Sequence, residues 1–243
     1  MNKSLVVINL LLLSNIFLGN SFLNQADTLD IKSMNFTDSK TDSSIWINID
    51  YPQIDGIEDS ILASKINMFL EEEFKQSISW YEEMKTDSLL FEDYLSDMQF
   101  SFETGFQVEY NSKDFVSIVM SHYQFTGGAH GNYFALGYNI NIEDGSIITL
   151  KDILNDGSID LLTYECEETL LEKYEANSLL EAGLFENEIS ISDDQDFYII
   201  PGAIVIQFDP YEIGPWVMGE ITAEISFDKI VDILKDDIPF KVD

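Results

Sequence analysis

Residues 123–154, YQFTGGAHGNYFALGYNINIEDGSIITLKDIL, restrict the folds open to this chain more than any other stretch. Phe134, Leu136, Tyr138, Ile140 and Ile142 alternate with polar or small residues, the period of a strand with one buried face. Just upstream, residues 115–125 are apolar on both faces in their first half, as a central strand would be. Between the two lies Gly127-Gly128-Ala129-His130-Gly131, whose glycines permit positive φ and a tight corner. Asp144-Gly145 is a hairpin turn leading into residues 147–150.

The same period extends upstream. Phe100, Phe102, Phe106, Val108 and Tyr110 share one strand face, and Ile45, Ile47 and Ile49 mark a first strand that Pro52 ends. Between these strands Leu62, Ile66, Phe69, Leu70, Phe74, Ile78 and Tyr81 recur at helical spacing, with Asp55 and Glu58 as a capping-box-like start. The acidic residues 82–98 read as a further helix or helical loop. This half is expected to be a long helix on an antiparallel meander.

In the other half, residues 158–176 form a main helix whose face carries Ile159, Leu162, Cys166 and Leu170. Residues 178–185 suit a shorter helix, and residues 197–200, Pro201-Gly202 and 203–208 suit a hairpin. Ile221, Ala223, Ile225 and Phe227 alternate, after which Asp228 can cap a final helix. Helices alternate with hairpins, which defines an α+β protein of two consecutive units, each a helix packed on an antiparallel sheet. The expected boundaries are 1–21 for a signal peptide, 22–44 for a flexible lead-in, and 45–149 and 150–243 for the two units.

The signal peptide rests on Lys3, the apolar run from Leu5 to Leu18, and small or polar residues after it. That run is shorter than the roughly 20 residues of a bilayer span, so cleavage and export to the periplasm or exterior are expected over anchoring. The alternative is an uncleaved anchor. Residues 22–44 are polar and aperiodic, which reads as a lead-in.

The chain holds 45 Asp and Glu against 12 basic residues, all Lys, for a net charge of −33. Nucleic acid is thereby excluded, since its binding rests on cations that neutralise phosphates. Such a field attracts cationic proteins and speeds their encounter; alternatively, it only keeps an exported protein soluble. Cys166 is the lone cysteine, so no internal disulfide forms, and its apolar helical face marks it as a buried thiol.

Enzymatic signatures are weak. The two histidines, His122 and His130, accompany no Gly-x-Ser-x-Gly elbow. Their spacing is unspecific for zinc, and the acidic turns at 155–158 and 193–196 lack the full EF-hand loop. No catalytic residue, cofactor or metal is assigned. The glycine loop reads either as a strand-to-strand corner fixed by His130 or as a ligand cradle through its exposed amides. Asp209-Pro210-Tyr211-Glu212-Ile213-Gly214-Pro215-Trp216-Val217-Met218-Gly219 reads either as a plug of the C-terminal core or as a stiffened binding surface led by Tyr211 and Trp216.

Residues 123–154 together with FDPYEIGPWVMG at 208–219 make the chain similar to the RsiV-like family of bacterial extracytoplasmic domains. The resemblance spans roughly residues 45–234, with Trp216 where a second Tyr is expected. It implies a domain found in a cell-surface anti-sigma factor that senses lysozyme, related to a segment preceding the catalytic domain of some peptidoglycan deacetylases. An anti-sigma role is not expected, since only four residues precede the apolar run. The expected function is an exported, non-enzymatic binding domain for a cationic protein such as lysozyme. Tyr211, Ile213, Pro215 and Trp216 would meet the partner, joined by Gly127, Gly128 and His130. The alternatives are a cell-wall glycan-binding or peptidoglycan-enzyme-associated module and a structural envelope protein.

Overall fold

The computed structural model describes residues 28–39, 45–87 and 99–242. The signal peptide, the first residues of the lead-in and most of the acidic stretch 82–98 lie outside these ranges. Five strands form the first sheet in the order β1 (Asp30–Ser39), β2 (Ile45–Asp55), β3 (Phe100–Asn111), β4 (Phe115–Phe125) and β5 (Asn132–Asn141). The second sheet holds β6 (Phe197–Ile200), β7 (Ala203–Phe208) and β8 (Ile221–Ser226), all antiparallel. The α+β class is therefore as expected.

Helix α1 (Ser60–Asp87) buries Ile66, Leu70, Phe74 and Tyr81 against Ile47, Ile49, Ile118, Met120 and Ile140. Its start is capped by Asp59, whose carboxylate accepts the Ile61 and Leu62 N–H groups, and not by the Asp55–Glu58 pair. Because α1 lies between β2 and β3 in sequence, it returns the chain to the same end of the sheet. β2 and β3 pair in parallel, from Ile45↔Phe100 to Ile49↔Thr104. The first sheet is consequently mixed, a correction to the antiparallel meander.

Two further corrections concern its edge. The expected lead-in contains β1, paired in register with β2 from Asp30↔Asp55 to Ser39↔Trp46. Its two half-buried apolar residues, Ile31 and Phe36, stand five apart, so no period of two shows in the sequence. Nor does Pro52 end β2. The β3 ladder stops at Ile49, so Pro52 sits where no neighbour on that side needs its missing N–H.

After the single turn α2 (Leu150–Ile153), helix α3 (Ile159–Tyr174) buries Leu162, Cys166 and Leu170 toward β8. Residues 178–185 are a run of turns and bends instead of a helix. The short α4 (Phe227–Ile230) is capped by the Ser226 hydroxyl, which accepts from the Asp228 N–H, so Asp228 supplies the donor and not the cap.

The two sheets meet edge to face. The open edge of β6 lies on the back of β4 and β5, the face turned away from α1. There the Ile199 N–H donates to the Ser117 hydroxyl at 3.0 Å, Ser117 donates to Asn139 Oδ1 at 2.7 Å, and Asn139 Nδ2 donates to the Phe197 carbonyl at 2.8 Å. Ser117 and Asn139 are fully buried, so this closed network satisfies polar atoms that would otherwise be costly. Gly137 makes the approach possible: a Cβ there would overlap the Phe197 carbonyl. Tyr110 and Phe115 of the first unit also pack in the second unit's core, with Phe115 and Phe240 rings 5.0 Å apart.

Candidate functional site

The glycine loop and the aromatic loop, whose nearest ends Gly131 and Asp209 are 78 positions apart in sequence, meet at the end of the first sheet. Gly127 and Gly128 carry φ of 91° and 106° in the corner between β4 and β5, values that favour glycine. His130 donates from Nδ1 to the Gly131 carbonyl at 2.8 Å. Its imidazole stacks on the Trp216 indole, centroids 4.2 Å apart, and Tyr133 of β5 meets the same indole edge-on at 6.3 Å. The Glu220 N–H faces the Tyr133 phenol, and a Cβ at Gly219 would press on that oxygen. At Gly131 a Cβ would overlap the Tyr123 ring.

The aromatic loop divides its residues between core and surface. Ile213 and Met218 pack on the second core, and Gly214 is buried where a Cβ would strike Ile221. Trp216 is half-buried outside that core, in the 3-10 turn that follows Pro215, with its indole N–H buried and unpaired among the described residues. Tyr211 is 57 % exposed and Val217 84 % exposed. Tyr211 has φ of 75°, an uncommon conformation for a bulky side chain. It is held by its own N–H on the Gly214 carbonyl and by Glu212 N–H on the Asp209 carbonyl. Plug and surface thus coexist, with Ile213 on the core side and Tyr211 on the outer side.

Carboxylates surround the loop. Asp209 Oδ1 accepts the Ala135 N–H at 3.0 Å, and Glu212 accepts the Asp209 N–H at 2.8 Å and Gln195 Nε2 at 2.9 Å. Burial raises Asp209 and Glu220 above the usual carboxylate range. Burial and then the Asp209 charge push Asp196 up to about 6. Among the described residues no cation offsets Asp196 or Asp209, and Lys173 offsets Glu220 only in part. These seam carboxylates were missed as site residues in the sequence. The available signal was Gly137, an isolated glycine inside an otherwise well-formed strand, which marks close backbone approach.

The other candidate groups lie elsewhere. His122 points toward α1, its ring stacked 4.6 Å from Phe134 and 5.7 Å from Phe74, with Nε2 unpaired. Burial depresses it to about 4, so it is a neutral aromatic filler near neutral pH. It shares no site with His130. Cys166 is fully buried and its thiol is pushed up to about 12, which removes its nucleophilic form. No group of three or more His, Cys, Asp or Glu among the described residues is arranged to hold a metal. No helix among them is long and apolar enough to cross a membrane.

The arrangement defines a two-sheet α+β module presenting an acidic aromatic loop. Comparison with known proteins agrees with that class: residues 39–133 match the family described as Deacetylase PdaC, and residues 151–228 match the Protein of unknown function (DUF3298) family. The chain is 24 % identical over 136 residues to the peptidoglycan-N-acetylmuramic acid deacetylase PdaC of Bacillus subtilis (strain 168). The match takes in 54 % of this chain and 28 % of that protein's length. A crystal structure of a DUF3298 family member from Bacteroides fragilis superposes with a TM-score of 0.71 at 17 % identity, covering 88 % of this chain and 96 % of the other. A DUF3298 family protein from Pseudomonas aeruginosa PAO1 gives 0.69 at 15 %, covering 88 % and 99 %. At these identities the likeness is one of fold.

Proposed function

We propose that this protein is an extracytoplasmic, non-enzymatic module of the cell wall, and that its aromatic loop receives a cationic protein. The observation that carries this reading is the placement of Tyr211 and Val217 outside the core, on a loop ringed by Asp209, Glu212 and Glu220 and free of basic residues. Rigid aromatic side chains bury large area at little entropic cost, while uniform negative charge steers a basic partner toward them. The matches to a peptidoglycan deacetylase and to DUF3298 support a cell-wall setting. The resemblance to lysozyme-sensing domains makes a lysozyme-type enzyme the first partner to test.

The test is calorimetric titration of the exported chain with hen lysozyme, with two other proteins of similar basicity, and with soluble peptidoglycan fragments. Binding of lysozyme that weakens steeply with salt and exceeds the other basic proteins is the expected result. Equal binding of all three would reduce the interaction to bulk charge. Binding of the peptidoglycan fragments alone would transfer the site to glycan recognition, the reading that the deacetylase match supports.

A further inference from the structure

At Ala135 and Gly137 the outer edge of β5 is covered by side chains, and further along, at Asn139 and Asn141, by the backbone of residues 146–148. Asp209 takes the Ala135 N–H and Gln207 Nε2 donates to the Ala135 carbonyl, while the Gly137 N–H faces the Asp196 carboxyl. Asp196 and Gln207 are directly opposite each other: the β6–β7 ladder pairs Phe197 with Ile206, and one step further the Gln207 N–H donates to the Asp196 carbonyl at 2.9 Å. Opposite residues of an antiparallel pair project to the same side, with Cβ atoms about 5 Å apart.

Gln207 is 1 % exposed, and its amide orientation is fixed because the Ala135 carbonyl can only accept. Its Oε1 is therefore a buried acceptor, and it has no donor. A carboxyl group beside it, holding one proton, is the donor that this acceptor lacks. We propose that Asp196 and Gln207 form a proton-operated clasp, in which protonated Asp196 donates to Gln207 Oε1 and loss of that proton loosens the seam beneath the aromatic loop.

The surroundings favour the protonated form. Asp209 and Glu212 face Asp196 from the loop after β7, Tyr138 faces it from β5, and none of the groups acting on it is cationic. Burial and these charges place Asp196 at about 6 against an ordinary 3.8. The folded protein therefore binds an extra proton between those values. Stability from this residue grows as pH falls from about 6 toward 3.8, and is absent above that window. His122, depressed to about 4, acts in the opposite sense over an overlapping range, so the clasp is read from differences between variants. It does not depend on what the loop binds.

The experiment compares thermal melts of the wild type and Asp196→Asn from pH 4.5 to 8. An amide at this position can donate to Gln207 Oε1 and accept from Gly137 at every pH. The variant is expected to melt several degrees above the wild type at pH 7.5, with the gap closing by pH 4.5. A gap that is constant with pH, or a variant less stable at pH 7.5, would overturn the clasp. If Asp196→Asn does not fold, nuclear magnetic resonance of the wild type decides. The Gln207 side-chain amide protons, buried against the Ala135 carbonyl, should lose protection from hydrogen exchange as the Asp196 carboxyl titrates, and unchanged protection across that titration would reject the proposal. Gln207→Met should move the Asp196 midpoint down, whereas an unmoved midpoint would show that Gln207 is no partner.

Discussion

His130 and Trp216 stack with their ring planes 25° from parallel, joining the corner between β4 and β5 to the loop between β7 and β8. The imidazole covers one face of an indole that otherwise stands outside the second core. An aromatic pair of this kind contributes about 0.5–1.5 kcal/mol beyond the area it buries.

Trp216→Ala should therefore cost a modest amount of stability, about 1–2 kcal/mol, well below the roughly 3–5 kcal/mol of a fully buried aromatic. Phe208→Ala, at 0 % exposure in the same unit, provides the comparison. If Trp216 anchors a partner, the same change lowers affinity by about 2 kcal/mol or more. Urea denaturation and calorimetric titration on one preparation separate the two effects; a stability loss as large as that of Phe208→Ala would make Trp216 a core residue.

Gly137→Ala should be among the most damaging single-methyl changes, since the added Cβ overlaps the Phe197 carbonyl and pushes β6 off the sheet. Overpacking of this kind costs about 1–3 kcal/mol, and breaking the Asn139 and Ser117 bonds adds to it. Gly105→Ala is the control: its Cβ would meet the Ser121 hydroxyl at 3.4 Å, a contact that a small rotation relieves. Denaturant midpoints for the pair should differ clearly, and equal midpoints would mean that the seam yields easily.

Much of this architecture is legible in the sequence wherever one element buries one face. Ile45, Ile47 and Ile49, the α1 stripe and the Leu162–Cys166–Leu170 face all sit where their periods place them. What escapes is set by pairing between backbones. β1 is polar because it is an edge strand, and the parallel β2–β3 ladder depends on which end of the sheet α1 returns to. For the site, both loops are conspicuous in the sequence, but the His130–Trp216 contact joins residues 86 apart and leaves no periodic trace. Asp196 and Asp209 stand among so many acids that only the fold distinguishes them.

His122 makes stability depend on pH through its neutral form. Its folded value, about 4, lies below the ordinary 6.5, so the unfolded chain binds the extra proton between those values. The stability contributed by neutral burial is present above pH 6.5 and is lost as pH falls toward about 4, on the order of 3 kcal/mol at the bottom of the window. His122→Phe removes the titrating ring while keeping its place between Phe74 and Phe134. Stability curves of variant and wild type should diverge as the solution is acidified, and parallel curves would show that the ring does not titrate in this window.

Cys166 should be silent toward thiol reagents in the native protein and react only through unfolding, because its thiol is buried and pushed up to about 12. Modification at a rate that tracks denaturant concentration is expected. Rapid labelling in buffer would place the sulfur at the surface. Cys166→Ser should destabilise by about 1–3 kcal/mol, the cost of a buried hydroxyl without a partner.

The closure of the β5 edge also governs how copies of this protein can associate. An open sheet edge invites other chains to add strands, and fibrous assembly begins at such edges. Asp209 and Gln207 occupy the Ala135 groups, and the backbone of residues 146–148 occupies the Asn139 and Asn141 groups, that a recruited strand would need along β5. Among the described residues that leaves β1 as the outer edge of the first sheet, and there Asp30, Lys32 and Asp38 place charges that an incoming strand would have to bury. Growth of the sheet is thus blocked at one end by occupation and discouraged at the other by hydration.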